Sequence, residues 1–128
     1  MIAIDTNVLI RYYIDDDHAQ HLKAKRFIDE NEVFVNNIVL LESFCVLTRV
    51  YEVSRGQVSK IFDHLKRLSN VRFEDATVFS RALMEYRDHQ CDFADALLGL
   101  VNLNHGLETA SFDRKAQKRL GFRSLDFV

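Results

Sequence analysis

The chain has 128 residues, of which 48% are hydrophobic and 28% are charged. This composition predicts a folded chain with its own core and excludes a disordered or low-complexity one, so we expect a single domain over residues 1–128. The net charge of −2 predicts no general attraction to nucleic acid, and any such binding must depend on a local patch. Cys45 and Cys91 lack metal-type spacing and predict buried thiols in a reducing compartment, which we interpret as the cytoplasm.

Short apolar runs alternate with longer helical patterns along the chain. Residues 1–4 predict a strand buried on both faces, and they resemble neither a secretory signal nor a membrane span. Further strands are expected at 33–35, 71–73, 107–110 and 122–125. Helices are expected at 7–13, 18–31, 37–50, 76–86, 92–104 and 114–120. A further helix is expected to start at Ser54 to Gly56 and to extend to Leu68. The helix at 37–50 is apolar nearly all round, which predicts burial.

This alternation predicts parallel strands joined by right-handed crossovers. We therefore expect a three-layer α/β/α sandwich with a central, mainly parallel sheet of four to five strands. Ligands bind such sheets at the carboxyl ends of the strands. Asp5 ends the first predicted strand and Asp113 lies just beyond the fourth, so both should emerge at that edge.

Two more acids interrupt apolar stretches: Glu42 in LLESF and Asp95 in FADALL. A buried, unpaired carboxylate is costly, so each should face a cation or have a raised pKa. Structural alternatives stay open. Asp5 and Asp113 could cap helices. Asp95 could be an acid in the first turn of a helix capped by Asp92, where its charge interacts favourably with the helix dipole. The functional hypothesis depends on four acids converging.

Converging carboxylates need a counter-charge. Oxygen ligands without His or Cys predict Mg²⁺ or Mn²⁺ and disfavour zinc. His18 and His21 share a helix face, but no third ligand is near them in the sequence, so we interpret this pair as solvated surface.

A basic cluster near the C-terminus is a candidate for phosphate contacts, although a solvated helix face explains it equally well. It consists of Arg114, Lys115, Lys118, Arg119 and Arg123. Phenylalanines such as Phe27, Phe44, Phe62, Phe79 and Phe93 are expected in the core, so no aromatic platform that would select RNA is evident.

Four segments in order, IAIDTNVLIRYY, LLESF, CDFADALLGLVN and ETASFDRK, resemble the PIN-domain nucleases over essentially the whole chain. Within that family they resemble the VapC-type toxins of toxin–antitoxin pairs. The resemblance implies that Asn7 and Ser111 support an acidic cluster by hydrogen bonds. The acids of that cluster are Asp5, Glu42, Asp95 and Asp113. The chain departs from the family in carrying Ser111 where threonine is frequent.

The resemblance further implies a single PIN-like domain that hydrolyses RNA with water activated by Mg²⁺ or Mn²⁺. Arg114 or Lys115 would then meet the charge on the phosphate. A homodimer and a small cognate antitoxin protein are implied as partners, with no membrane association. Two alternatives are a catalytically silent PIN-like interaction module and a phosphoacceptor domain. The second fits less well because Glu42 and Asp95 lie in predicted helices.

Overall fold

The computed structural model describes residues 1–125, which form seven α-helices and five short strands. The elements follow one another as β1 (Ile2–Ala3), α1 (Thr6–Tyr13), α2 (His18–Glu30), β2 (Val33–Val35), α3 (Asn37–Cys45), α4 (Arg55–Arg67), β3 (Val71–Phe73), α5 (Ala76–His89), α6 (Phe93–Asn104), β4 (Ala110–Ser111), α7 (Arg114–Leu120) and β5 (Arg123–Ser124). The contacts divide the chain into two compact units, the first spanning Met1–Ala76 and the second starting at Thr77. The single domain over residues 1–128 stays a prediction.

The first unit contains a parallel sheet in the order β1-β2-β3. Val33 and Val35 of the central strand are fully buried, as expected where a strand has neighbours on both sides. Ile2 is 48% exposed and Ala3 is also exposed, so the predicted burial of both faces of the first strand is wrong for these residues. The reason is that β1 is an edge strand of this sheet; only Ile4, just after it, is buried.

The second unit contains a parallel pair, β4 and β5, joined through α7. The predicted strand at 107–110 is shifted, because β4 covers only Ala110 and Ser111. Leu107 does not enter the strand since its N–H donates to the carbonyl of Asn102, 3.0 Å away, at the end of α6. Gly106, with φ of +73°, makes the turn that permits this bond.

The predicted α/β class is confirmed, and every strand pairing in the described residues is parallel. The hydrogen-bonded ladders comprise three strands and two strands, where the sequence predicted one central sheet of four to five. Strands of only two or three residues make few ladder bonds, so the packing of helices contributes most of the stability.

Each unit has its own apolar core. In the first unit Leu40 and Phe62 are at most 1% exposed. In the second, Phe79 and Tyr86 both pack edge-to-face on Phe93, with ring centroids 6.1 and 6.3 Å apart. The expectation that the phenylalanines are core holds for Phe44, Phe62, Phe79 and Phe93, whereas Phe27 is half-buried.

The helix predicted at 37–50 changes type part-way. It is α-helical to Cys45 and continues as a π-helical turn over Val46–Val50. Ile38 is 65% exposed, so the predicted burial all round is wrong, and one face of α3 meets solvent. Both cysteines are free thiols, with Cys91 buried and Cys45 half-buried. Among residues 1–125 no helix is both long and apolar enough to cross a membrane.

Two glycines offer a matched test of the backbone. Gly121 ends α7 with φ of +70°, and Gly56 lies in the first turn of α4; a Cβ would meet nothing within 4 Å at either position. Gly121→Ala should lower the free energy of unfolding by about 1 kcal/mol because L-residues disfavour this conformation. Gly56→Ala should raise it by up to about 1 kcal/mol through helix propensity. Urea denaturation measures both, and shifts of the same sign would contradict the assigned conformations.

Candidate functional site

Asp5 connects β1 to α1. Its Oδ1 accepts a hydrogen bond from the backbone N–H of Val8 at 3.0 Å, so this residue does cap the helix. The side chain is exposed, and its second oxygen makes no hydrogen bond with the residues described. Because a carboxylate has two oxygens, capping orients the group and leaves Oδ2 available to a cation.

Glu42 lies on the exposed face of α3, so its predicted burial is wrong. The apolar residues around it in the sequence occupy the other faces of the helix, where Val39, Leu40 and Phe44 are buried. The hydroxyl of Thr6 donates to Glu42 Oε1 at 2.9 Å. This bond therefore joins Glu42 to the residue that directly follows Asp5. Thr6 was not predicted from the sequence, although a hydroxyl donor next to Asp5 in the segment IAIDTNVLIRYY was a usable signal.

The predicted support from Asn7 has no counterpart within the described residues. Its side chain is exposed, and it makes no hydrogen bond with them. A cavity of about 710 Å³ in the first unit includes Asp5 and Asn7 in its lining, together with Lys23 of α2. Lys23 is exposed and forms no ion pair with a described residue. A cation without an ion-pair partner among the described residues therefore lines the same cavity as Asp5.

Asp95 lies in the first turn of α6 and is half-buried. Burial raises the pKa of its carboxyl above the ordinary value, and the negative charges of Asp92 and Asp113 raise the pKa further. The raised pKa agrees with the expectation for this residue. Asp92 Oδ1 accepts the backbone N–H of Asp95 at 3.0 Å, which confirms Asp92 as the cap of α6.

Asp113 caps α7, since its Oδ1 accepts the N–H of Ala116 at 3.1 Å. Ser111 supports it through the backbone: the Ser111 hydroxyl oxygen accepts the N–H of Asp113 at 2.9 Å. The Gln117 amide also donates to the Ser111 carbonyl at 2.6 Å. In the second unit, Asp113 is thus close enough to Asp95 for its negative charge to raise the pKa of Asp95.

The basic cluster of the second unit divides into two groups. Arg119 donates to the carbonyl of His89 at 2.9 Å, and Arg123 pairs with Glu108 at 3.3 Å, so these two have structural roles. Arg114, Lys115 and Lys118 are exposed and form no ion pair with the described residues. They remain available for phosphate.

Each unit contains two of the predicted site acids: Asp5 and Glu42 lie in the first, and Asp95 and Asp113 lie in the second. Within either unit, the described residues include no group of three or more His, Cys, Asp or Glu that could hold a metal ion. The donor set consists of carboxylate oxygens, which fits Mg²⁺ or Mn²⁺. Burial and the charges of Asp92 and Asp113 raise the pKa of Asp95, and a nearby cation would favour its ionised form.

A family model described as PIN domain matches residues 2–123. The chain belongs to the PIN domain family. Proteins of this family are generally nucleases that act on RNA and usually use divalent metals. The matched range includes all four predicted site acids of this PIN domain. A comparison with curated proteins found no match.

The pKa of Asp95 generates a prediction about stability. Because its pKa is raised in the folded state, the folded chain binds more protons than the unfolded chain just above the ordinary Asp value of 3.8, and stability falls as the pH rises through this window. Asp95→Asn should therefore raise the free energy of unfolding at neutral pH, and the gain should vanish once the pH drops below that ordinary value. Chemical denaturation at the two pH values measures the difference.

Asp88→Asn is the matched control. Asp88 is exposed and accepts a hydrogen bond from Arg87 Nε at 3.1 Å, so removing its charge should give no gain at neutral pH. A gain for Asp95→Asn of equal size at acidic and neutral pH would contradict the electrostatic cause.

Proposed function

We propose that this PIN domain is a Mg²⁺- or Mn²⁺-dependent endoribonuclease. The single observation that carries the proposal is the environment of Asp95, a half-buried carboxylate whose pKa is raised by burial and by Asp92 and Asp113. Burial of a carboxylate beside two like charges costs free energy, and groups with perturbed pKa values are concentrated at functional sites. In a family of nucleases, a divalent cation bound to phosphate is the ligand that meets this charge.

The proposed metal ligands are Asp5, Glu42, Asp95 and Asp113. When bound there, the ion supplies Lewis-acid polarisation of the phosphodiester and a lowered pKa for the attacking water. The protein's own contribution is to hold the oxygens in place. The N–H of Val8 orients the Asp5 carboxylate, and the Thr6 hydroxyl holds Glu42 Oε1.

Ser111 serves the same purpose for Asp113. Its hydroxyl fixes the backbone at Asp113, and the cap on Ala116 leaves Asp113 Oδ2 for the ion. Asn7 follows Thr6 on the exposed first turn of α1, where it would support the ligands. No nucleophilic side chain is needed for this chemistry.

RNA is the proposed substrate because family members act on it. Arg114 and Lys115 directly follow Asp113 and have no ion pairs among the described residues, so they are the proposed contacts to the phosphate. Lys23 adds a cation near Asp5. Phosphate contacts of this kind position RNA without reading its sequence.

We also propose that the protein is the VapC-type toxin of a toxin–antitoxin pair, that it works in the cytoplasm, and that it forms a homodimer. The support is the resemblance of its four acid-bearing segments to such toxins. A cognate antitoxin protein would then block RNA cleavage. Expression of the chain should arrest growth, and co-expression of a short neighbouring reading frame should relieve the arrest. Unimpaired growth with active nuclease would exclude the toxin assignment alone.

Asp5→Asn and Asp95→Asn test the nuclease directly. Each should abolish Mn²⁺-dependent cleavage of RNA, because an amide replaces an anionic ligand of the same shape, while the thermal melt stays intact or rises. Asp63→Asn and Asp88→Asn are controls in the first and second units; both replace acids that pair with nearby basic side chains, and they should retain activity. Cleavage at the parental rate by both site variants would contradict the assigned site, and absence of cleavage by the parental chain would favour a catalytically silent interaction module.

Removal of the metal gives an independent test. EDTA should stop RNA cleavage, and excess Mg²⁺ or Mn²⁺ should restore it, whereas Zn²⁺ should restore it poorly because zinc prefers nitrogen and sulfur ligands. The measurement is the rate of cleavage of a labelled RNA after chelation and metal addition. A rate that EDTA leaves unchanged would contradict the proposed chemistry.

A further inference from the structure

Two histidines at the start of α2 form a pair outside the carboxylate site. His18 is the first residue of the helix and His21 lies three positions later, so both project from the same face. Their ring centroids are 6.3 Å apart, with the ring planes inclined by 30°. The sequence alone favours a solvated surface here. The structure adds the hydrogen bonds of the two rings, from which their tautomers follow.

These hydrogen bonds determine which ring nitrogen carries the proton. His18 Nδ1 lies 3.0 Å from Asp15 Oδ2, and His21 Nδ1 lies 2.7 Å from the backbone carbonyl of Arg11. An ionised carboxylate and a carbonyl can only accept, so Nδ1 must donate in both rings. In the neutral rings, Nε2 therefore holds the free lone pair.

This arrangement is that of metal-binding histidines, which donate their other ring N–H to a carboxylate or a backbone carbonyl. Neither Nε2 makes a hydrogen bond with a residue that the structure describes. His18 is the more accessible of the two, with a side chain that is 71% exposed. Both rings thus have the tautomer that binds a metal.

The distance between the rings is compatible with one shared ion. With zinc–nitrogen bonds of about 2.0–2.1 Å, each ring centroid lies about 3.2 Å from the metal, so two rings on one ion are at most about 6.4 Å apart. The observed 6.3 Å falls within this limit. Tetrahedral ligation brings the centroids to about 5.2 Å, a change of about 1 Å that rotation of an exposed side chain provides.

The charges around the pair also permit a cation. The positive end of the α2 dipole and the Arg11 guanidinium repel a cation at this position. Asp16 neutralises Arg11 through an ion pair, and Asp17 caps the helix by accepting the N–H of Gln20 at 3.1 Å. Asp15 then remains as a negative charge directly behind the His18 ring.

We propose that His18 and His21 bind one borderline divalent ion of the class that prefers imidazole, with zinc as its representative, and that water completes the coordination. No third His, Cys, Asp or Glu joins the pair in the described part of the chain, so the ion exchanges with solvent. This site uses nitrogen ligands and is independent of the proposed carboxylate site.

The test titrates Zn²⁺ into the full chain after EDTA treatment, with excess Mg²⁺ present to occupy carboxylates. Imidazole ¹⁵N resonances report which rings bind, and calorimetry reports the affinity. We expect the Nε2 signals of His18 and His21 to shift together, with saturation at one zinc per chain. The resonances of His64, His89 and His105 should stay in place.

Variants distinguish ligation from general surface binding. His18→Ala should weaken zinc binding at least about tenfold, and Asp15→Asn, which loses the orienting carboxylate, should weaken it by about tenfold. His105→Ala, in an exposed residue at the end of α6, is the matched control and should leave the isotherm unchanged. Unfolding curves check that each variant is folded.

An unchanged isotherm for His18→Ala would overturn the proposal. The proposal would also fail if zinc left the resonances of His18 and His21 unshifted and Asp5→Asn abolished zinc binding, because zinc would then bind at the carboxylates. RNA cleavage is measured separately with Mn²⁺. Failure of zinc binding would therefore leave the proposed nuclease intact, and failure of cleavage would leave the histidine pair intact.

Discussion

Acidic residues at the amino ends of helices connect the fold of this protein to its candidate chemistry. Asp5, Asp92 and Asp113 each accept a backbone N–H with one carboxylate oxygen and so end a loop and begin a helix. The same bond fixes the direction of the side chain. Since the cap occupies one oxygen, the other can meet a ligand, and structural and functional explanations of these acids are compatible.

The electrostatic cost of the candidate site is concentrated at Asp95. Its backbone lies where the helix dipole favours a negative charge, yet burial and two neighbouring carboxylates outweigh that benefit and raise its pKa. A site that binds a doubly charged cation has to carry this repulsion when it is empty. At the proposed site, a bound cation would favour the ionised form of Asp95 and so offset this cost.

Hydrogen bonds from outside each candidate site orient its ligands. The Thr6 hydroxyl holds a glutamate 36 residues away, and the Ser111 hydroxyl holds the backbone at Asp113. The carboxylate of Asp15 and the carbonyl of Arg11 determine the tautomers of two histidines. The carboxylates present hard oxygen donors and the histidines present nitrogen donors, so the two proposed sites would favour different metals.

Local interactions determined what the sequence could predict by itself. The α/β class, nearly all helix positions and the caps at Asp92 and Asp113 depend on periodicity and on neighbours within a few residues. The functional hypothesis also came from the sequence, through four separated motifs that together resemble the PIN family.

Only the tertiary structure decided which faces are covered and which distant groups meet. Glu42 and Ile38 are exposed because α3 packs through its other faces, and an apolar stretch does not encode that choice. The hydrogen bond from Thr6 to Glu42 likewise joins residues far apart in the chain. The position of β1 at the edge of its sheet also depends on strands that are distant in the sequence. Contacts of this kind depend on the packing of the whole unit. The free energy of burial comes from many residues together, so no single sequence motif predicts which contacts form.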